Sequence, residues 1–294
     1  MKITITGSLG NVSRQLAINL ISKGHQVTVI SQDTNKAAQI TALGAVAAIG
    51  SVKDTAFLTN AFRGADAVYT MVPPLATSEA YYDEVAAIAA NYRQALADAG
   101  VKHVVNLSSI GAHVPAGNGL SSAFYRVEAI LNELPDTNIV HLRAGMFYTN
   151  FYGSLKMILQ QQMLGNNFPG DARLVLVHPH DIADVATTLL SDLTFTGKSF
   201  RYMTSDEKTG NEIAAIFGQV TAQPIQWIPF PDEALKQGAM QNGFSAHMAA
   251  LFAEVGISIG QGRLLEDYEK NKMVAGKRKF EDFAGEMLKA AVNS

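Results

Sequence analysis

The chain contains no cysteine and a single tryptophan among 294 residues. Without cysteine there are no disulfides, no thiolate nucleophile and no sulfur-held metal, which fits a reducing compartment. No stretch approaches the ~18 consecutive apolar residues of a membrane-spanning helix. The opening MKITITGSLG alternates apolar residues with threonine and lacks the continuous apolar core of a secretory signal. Charge is also sparse: 17% of residues are charged and the net charge is −3. The one basic cluster, GKRK at 276–279, reads as a solvated surface. A chain with this balance is not built to neutralise a phosphate backbone, which argues against nucleic acid as a main partner. The expectation is a soluble, cytoplasmic protein with no membrane and no nucleic-acid partner.

What the chain does have is apolar material, 48% of it, in a regular rhythm. Short β-rich runs (KITIT at 2–6, QVTVI at 26–30, AVAAI at 45–49, DAVYTM at 66–71, HVVNLS at 103–108, NIVHL at 138–142) alternate with helical patterns. The first helix stops at Gly24 after Lys23 and the long fourth one at Gly100, where helix stop signals belong. Strand–helix alternation with short connections predicts a doubly wound parallel sheet of Rossmann type, with helices on both faces. Ligands then sit at the carboxyl ends of the strands.

After residue 144 the rhythm changes. A helix over 150–164, a Gly/Asn/Pro loop at 165–172, a strand RLVLV at 173–177, a helix opening near Asp181 and a strand KSFRYM at 198–203 follow. Helices from Asn211, Asp232, Ser245 and Glu281 finish the chain. The expected division is 1–148 as the nucleotide-binding domain and 149–294 as a smaller, mostly helical cap, interleaved with the first because no linker separates them.

Directly after the first strand comes TGSLGNVSRQLA. Gly7 permits a tight turn, Gly10 lets the backbone approach a pyrophosphate, and Ser13 takes the place of a third glycine where a small residue packs helix on strand. The helix that follows aims its N–H groups at the anion. Leu9, Gly10, Asn11 and Val12 therefore join Gly7 as candidate cofactor contacts. The second strand ends in Ser31 and Gln32, neither acidic, and Lys36 follows. An acidic tip would suit the ribose hydroxyls of NAD, so the three favour a 2′-phosphate and NADPH over NADH. Lys36 reads equally well as a surface helix residue.

The glycine turn, GADAVYTMVPP at 64–74, AGVKHVVNLSSIGA at 99–112, HLRAGMFYTNF at 141–151 and HDIADVA at 180–186 together resemble the NmrA-like family, atypical relatives of the short-chain dehydrogenases. The resemblance covers nearly the whole chain and implies either an NAD(P)H:quinone oxidoreductase or a non-catalytic redox-sensing regulator. It implies that Met71, Val72 and Pro73 lie along the cofactor, that Ser108 and Ser109 lie near the nicotinamide, and that Gly145, Met146 and Phe147 wall the site. The chain departs from the family pattern at Gln32, where arginine is frequent. It departs again at Ser51, after Gly50, where aspartate is frequent and an adenine contact is lost.

Tyrosine-dependent short-chain reductases use a tyrosine and, one helical turn later, a lysine that lowers its pKa. In LSSAFYRVEAIL, at 120–131, Tyr125 would need a lysine at Ala129. Anchoring instead on Glu128 puts Leu120 and Phe124 at the pair. Neither register supplies it, while Phe124, Val127, Leu131 and Leu134 form a core-facing stripe. Tyr125 stays a candidate contact, and the catalytic residue is not identified. Hydride transfer to a quinone tolerates this loss better than carbonyl reduction does, because positioning supplies much of the rate.

The remaining candidates are weaker. His178 and His180 have ligand-like spacing but no third group to complete a site, so no metal is expected. Tyr81, Tyr82 and Trp227 read as packing residues, and about half of Phe147, Tyr148, Phe151 and Tyr152 as core. The expectation is an NAD(P)H-dependent oxidoreductase passing hydride to a quinone or similar flat small-molecule acceptor. The alternative is a sensor that binds a protein partner; a homodimer is compatible with both.

Overall fold

The computed structural model describes residues 1–273 and 275–292. The first half gives β1 (Lys2–Ile5), α1 (Ser13–Ser22), β2 (Gln26–Ser31), α2 (Ala37–Ala42), β3 (Val46–Ile49), α3 (Thr55–Phe62), β4 (Ala67–Thr70), α4 (Tyr81–Asp98), β5 (His103–Ser109), α5 (Ala123–Asn132) and β6 (Asn138–Ala144). Next come β7 (Met146–Phe147), a 3-10 turn at Tyr148–Ser154, α6 (Leu155–Gln161), β8 (Met163–Asn166), β9 (Arg173–Val177), α7 (Pro179–Asp192), β10 (Lys198–Met203) and β11 (Asp206–Thr209). The last are α8 (Gly210–Thr221), β12 (Gln226–Pro229), α9 (Asp232–Gln241), α10 (Ala246–Gly260), α11 (Leu265–Tyr268) and α12 (Phe280–Val292).

The six expected strands all form, and β10 joins them in one seven-stranded parallel sheet of order β10-β6-β5-β4-β1-β2-β3. Its two faces bury separate cores. Leu16, Ala17 and Leu20 of α1 and Ile182, Ala183, Ala186 and Leu190 of α7 cover one. Leu58 and Phe62 of α3, Val85, Ile88 and Tyr92 of α4, and Val127 and Leu131 of α5 cover the other. Strands buried on both sides are apolar throughout, so β4 is buried at every position. The C-terminal region adds helices and two small sheets, β11-β9-β7 and β12-β8. Among the described residues no helix is long and apolar enough to cross a membrane.

Three expectations change. The helix expected over 150–164 ends at Gln161, because Gln162 turns left-handed (φ 53°), and Met163–Asn166 pairs with β12 instead. The helix expected to open near Asp181 starts at Pro179: His178 accepts the His180 N–H at 3.1 Å as the cap, and Asp181 is buried within the first turn. There it accepts from Ser205 and from the Arg278 guanidinium, so the basic cluster is not simply solvated: Arg278 clips the chain before α12 onto α7 through Asp181 and Asp184.

Candidate functional site

The turn after β1 is built as a phosphate cradle. Gly7 has φ +92°, and a Cβ there would lie 2.5 Å from Ser13 Oγ and 2.9 Å from Met71. Ser13 Oγ donates back to the Thr6 carbonyl at 2.8 Å, so the serine performs the packing of the third glycine position. The Thr6 hydroxyl accepts the Met71 N–H at 2.9 Å, and Tyr92 OH donates to the Met71 carbonyl at 2.7 Å. The β1 and β4 tips are thus locked side by side, bringing Gly7 against Met71, with Val72 buried and Pro73 half-buried behind it. No side chain caps α1, and the residue at its cap position, Val12, is itself apolar and buried. The orphan N–H groups of that turn and the exposed backbone of Gly10 and Asn11 therefore suit an anion. On these observations the residues present fit a dinucleotide.

At the β2 tip the sequence reading needs revision. Ser31 is 2% exposed; its hydroxyl accepts from Ser8 Oγ at 2.9 Å and from the Asp33 N–H at 3.2 Å, and donates to the Asp33 carbonyl at 3.3 Å. A hydroxyl has one proton and two lone pairs, so Ser31 is fully engaged in holding β2 to the glycine turn and is not free for a phosphate. Gln32 is exposed, and half-buried Lys36 donates to Gln39 Oε1 at 3.4 Å.

On the other side, Asn11 Nδ2 donates to Thr149 Oγ1 at 3.2 Å, tying the turn to the segment after β7. Gly145 is buried, with room for no side chain: a Cβ would lie 2.5 Å from the Val175 carbonyl. Met146 and Phe147 are half-buried on β7. Tyr148 and Phe151 turn into the C-terminal core, while Tyr152 is 48% exposed.

The β5 tip holds a contact that sequence reading missed. Ser108 is buried and donates to Glu128 Oε1 at 2.6 Å, while Ser109 is half-buried and makes no side-chain hydrogen bond among the described residues. Glu128 accepts Arg143 Nε at 3.0 Å and Nη2 at 2.7 Å. Arg143 Nη1 reaches Asp267 at 3.0 Å, and its guanidinium lies 3.9 Å from the Phe200 ring centre. Burial acts to lower the Arg143 pKa, but the Glu128 pairing outweighs it and the net shift is upward. So α5 turns a carboxylate, not a tyrosine and lysine, toward the sheet. Tyr125 is 43% exposed and makes no hydrogen bond among the described residues.

A cavity of about 320 Å³ opens beside the turn, lined by Leu9, Gly10 and Asn11 on one side and by Arg14, Tyr152, His178, His180, Phe283 and Glu286 around it. Burial, then the neighbouring His180 and Arg278, push His178 down to about 4. Burial also lowers His180, followed by Arg278. Both imidazoles are neutral at pH 7. Among the described residues no group of three or more His, Asp or Glu side chains is placed to hold a metal.

Sheet order, crossover helices and glycine turn together define a Rossmann-type α/β protein. The chain belongs to the NmrA-like family, which it matches over residues 1–284. It is 25% identical, over 81% of its length and 80% of the relative's, to a (4-alkanoyl-5-oxo-2,5-dihydrofuran-3-yl)methyl phosphate reductase of Streptomyces griseus subsp. griseus. Its fold resembles an NADPH-dependent quinone oxidoreductase of Escherichia coli complexed with NADPH, at TM-score 0.82 and 20% identity, over 97% of this chain and 99% of the other. It also resembles NmrA, a negative transcriptional regulator, in complex with NADP, at TM-score 0.75 and 16% identity, over 100% and 97% of the two chains.

Proposed function

We propose that the protein is an NADP(H)-dependent oxidoreductase that passes hydride to a quinone or a similarly flat electrophile. The observation that carries this is the uncapped α1 behind a left-handed Gly7, facing a cavity with aromatic walls. The reductase relatives and the NADPH-bound and NADP-bound neighbours agree with it.

Gly7, Leu9, Gly10, Asn11 and Val12 would hold the pyrophosphate, and Gln32 and Lys36 the 2′-phosphate. Met71, Val72, Pro73, Ser108, Ser109, Gly145, Met146 and Phe147 would flank the nicotinamide end. Bound NADPH supplies the hydride. The protein contributes a fixed turn, a locked β1–β4 step, and a β5 tip held through Ser108. Neither register of α5 supplies a tyrosine–lysine pair, since Ala129 follows Tyr125 and Leu120 precedes Phe124, so catalysis would rest on orientation of the acceptor.

NADPH oxidation followed with a panel of quinones tests this reading. Turnover above the uncatalysed rate is expected, and cofactor binding without any turnover would sink it. That outcome would favour the second reading, a non-catalytic sensor with a protein partner, which the missing tyrosine–lysine pair also supports. A sensor would hold the oxidised and reduced cofactors with unequal affinity, and equal affinities would exclude it.

A further inference from the structure

Two long connections leave the strand tips assigned above to the nicotinamide end. Residues 71–80 run from β4 to α4, and residues 110–118 run from β5 to a 3-10 turn at Gly119–Ser122. Neither contains a helix or a strand, so each takes its order from what packs on it. The order of the main sheet reverses between β4 and β1, so both connections border the crevice where a doubly wound sheet holds its ligand.

One helix holds both. Ser245, the N-cap of α10, accepts the Met248 N–H at 3.1 Å and donates through Oγ to the Ser78 carbonyl at 2.6 Å. Its own N–H donates to the Ala76 carbonyl at 3.0 Å. Ser78 is buried, and its hydroxyl donates to Glu84 Oε1 at 2.7 Å. Toward the other end of α10, buried Ser258 donates to Asn118 Oδ1 at 2.5 Å, and Arg263, just past the helix, donates to the Gly117 carbonyl at 2.8 Å. Gly119 (φ +54°) lies against the Leu251 carbonyl and Val255, with no room for a Cβ. About 20 Å of α-helix separates Ser245 from Ser258. A helix pinned to one connection at each end sets the distance between them.

We propose that α10 is a strut that fixes the separation of the β4–α4 and β5–α5 connections, with Ser245 and Ser258 as positioning residues for the electron acceptor. Each serine spends its one hydroxyl proton on a connection. The two connections in turn hold the acceptor side of the crevice at the spacing that hydride transfer needs, where a displacement of ~1 Å can cost about a hundredfold in rate. The positioning role rests on the oxidoreductase reading; the strut does not.

Variants at Ser245 separate the pin from the helix cap. Ser245→Asp keeps a good cap but has no proton for Ser78, Ser245→Thr keeps both, and Ser245→Ala loses both. Ser258→Ala removes the other pin. Hydrogen exchange read by mass spectrometry should speed up roughly two- to tenfold over residues 72–80 in Ser245→Asp, the range of one lost hydrogen bond, and over residues 110–119 in Ser258→Ala. With 1,4-naphthoquinone, kcat should fall roughly tenfold in both variants while the affinity for NADPH stays within about twofold. Ser245→Thr should match wild type, and Ser245→Ala should add only a lower melting temperature to the Ser245→Asp behaviour. Exchange unchanged in both pin variants overturns the strut. Faster exchange with kcat unmoved overturns the positioning role, and so does a kcat that falls in Ser245→Ala but not in Ser245→Asp, which assigns the effect to the cap. A wild-type protein that turns over no quinone, while its variants still loosen the two connections, removes the oxidoreductase reading and leaves the strut in place.

Discussion

Ser108 Oγ gives its only proton to Glu128, and the same carboxylate takes two bonds from Arg143. A serine at the tip of β5, a helix from the opposite layer and the next strand are therefore joined by one buried charge pair. Breaking a buried pair outright costs about 3–5 kcal/mol, but Arg143 keeps Asp267 at 3.0 Å when Glu128 is removed, so the cost here falls below that range. Glu128→Ala should lower the stability measured by urea unfolding by up to about 3 kcal/mol, and Tyr125→Phe, less than one turn earlier on the exposed flank of α5, should not.

Tyr125 also separates a quinone-type mechanism from one that needs a helix-borne acid. Tyr125→Phe should leave kcat for naphthoquinone within about twofold of wild type, since a group outside the reaction contributes nothing to its transition state. A hundredfold loss would return the tyrosine to the chemistry.

Gly7→Ala places a Cβ 2.5 Å from Ser13 Oγ on a left-handed backbone. The strain is on the order of 1–2 kcal/mol before any clash is counted. The turn must open to relieve it, and NADPH affinity should fall by roughly tenfold or more. Fluorescence titration of the reduced cofactor reads this directly.

Lys36→Ala should weaken NADPH binding by up to roughly fivefold, because an ion pair at the protein surface is worth at most about 1 kcal/mol. Binding of NADH, which lacks the 2′-phosphate, should not change. Equal losses for both cofactors would mean that Lys36 acts on the fold of the β2–α2 connection instead.

His141 is 2% exposed, accepts from Asn106 Nδ2 at 3.1 Å and donates to Asn132 Oδ1 at 3.0 Å. Burial pushes it down from 6.5 to about 4. Between those two values the unfolded chain holds a proton that the folded protein does not. Stability is therefore full above pH 6.5 and falls as the pH drops toward 4. The loss for this group is about 3 kcal/mol. His178 shifts the same way, with a smaller effect because it is only half-buried. The unfolding midpoint followed from pH 7.5 to about 4 should fall, and His141→Gln should flatten the curve.

What was legible in the sequence is what depends on neighbours along the chain. The six strands of the first half, their helices and the turn from Gly7 to Ser13 follow from local periodicity and glycine placement. The contacts that were not legible join residues far apart. Nothing near Arg143 announces Asp267, and nothing near Asp181 announces Arg278. The helix past Gln161 failed for a related reason: Met163–Asn166 takes its strand form from β12, some sixty residues on. At the candidate site, the glycine turn was visible, whereas the cavity was not, because Arg14, Tyr152, His178 and Glu286 come from four separate elements.

One edge strand of the main sheet, β10, pairs with β6 along its whole length, from Lys198 against Ile139 to Met203 against Ala144. During synthesis β6 leaves the ribosome long before its outer partner exists. For the time needed to translate the intervening segment, a buried, apolar strand has one bare edge, the kind that recruits other chains. A fragment cut after β6 would keep that edge permanently and would be expected to aggregate, however complete its nucleotide turn. The C-terminal region is in this sense a seal on the sheet before it is anything else.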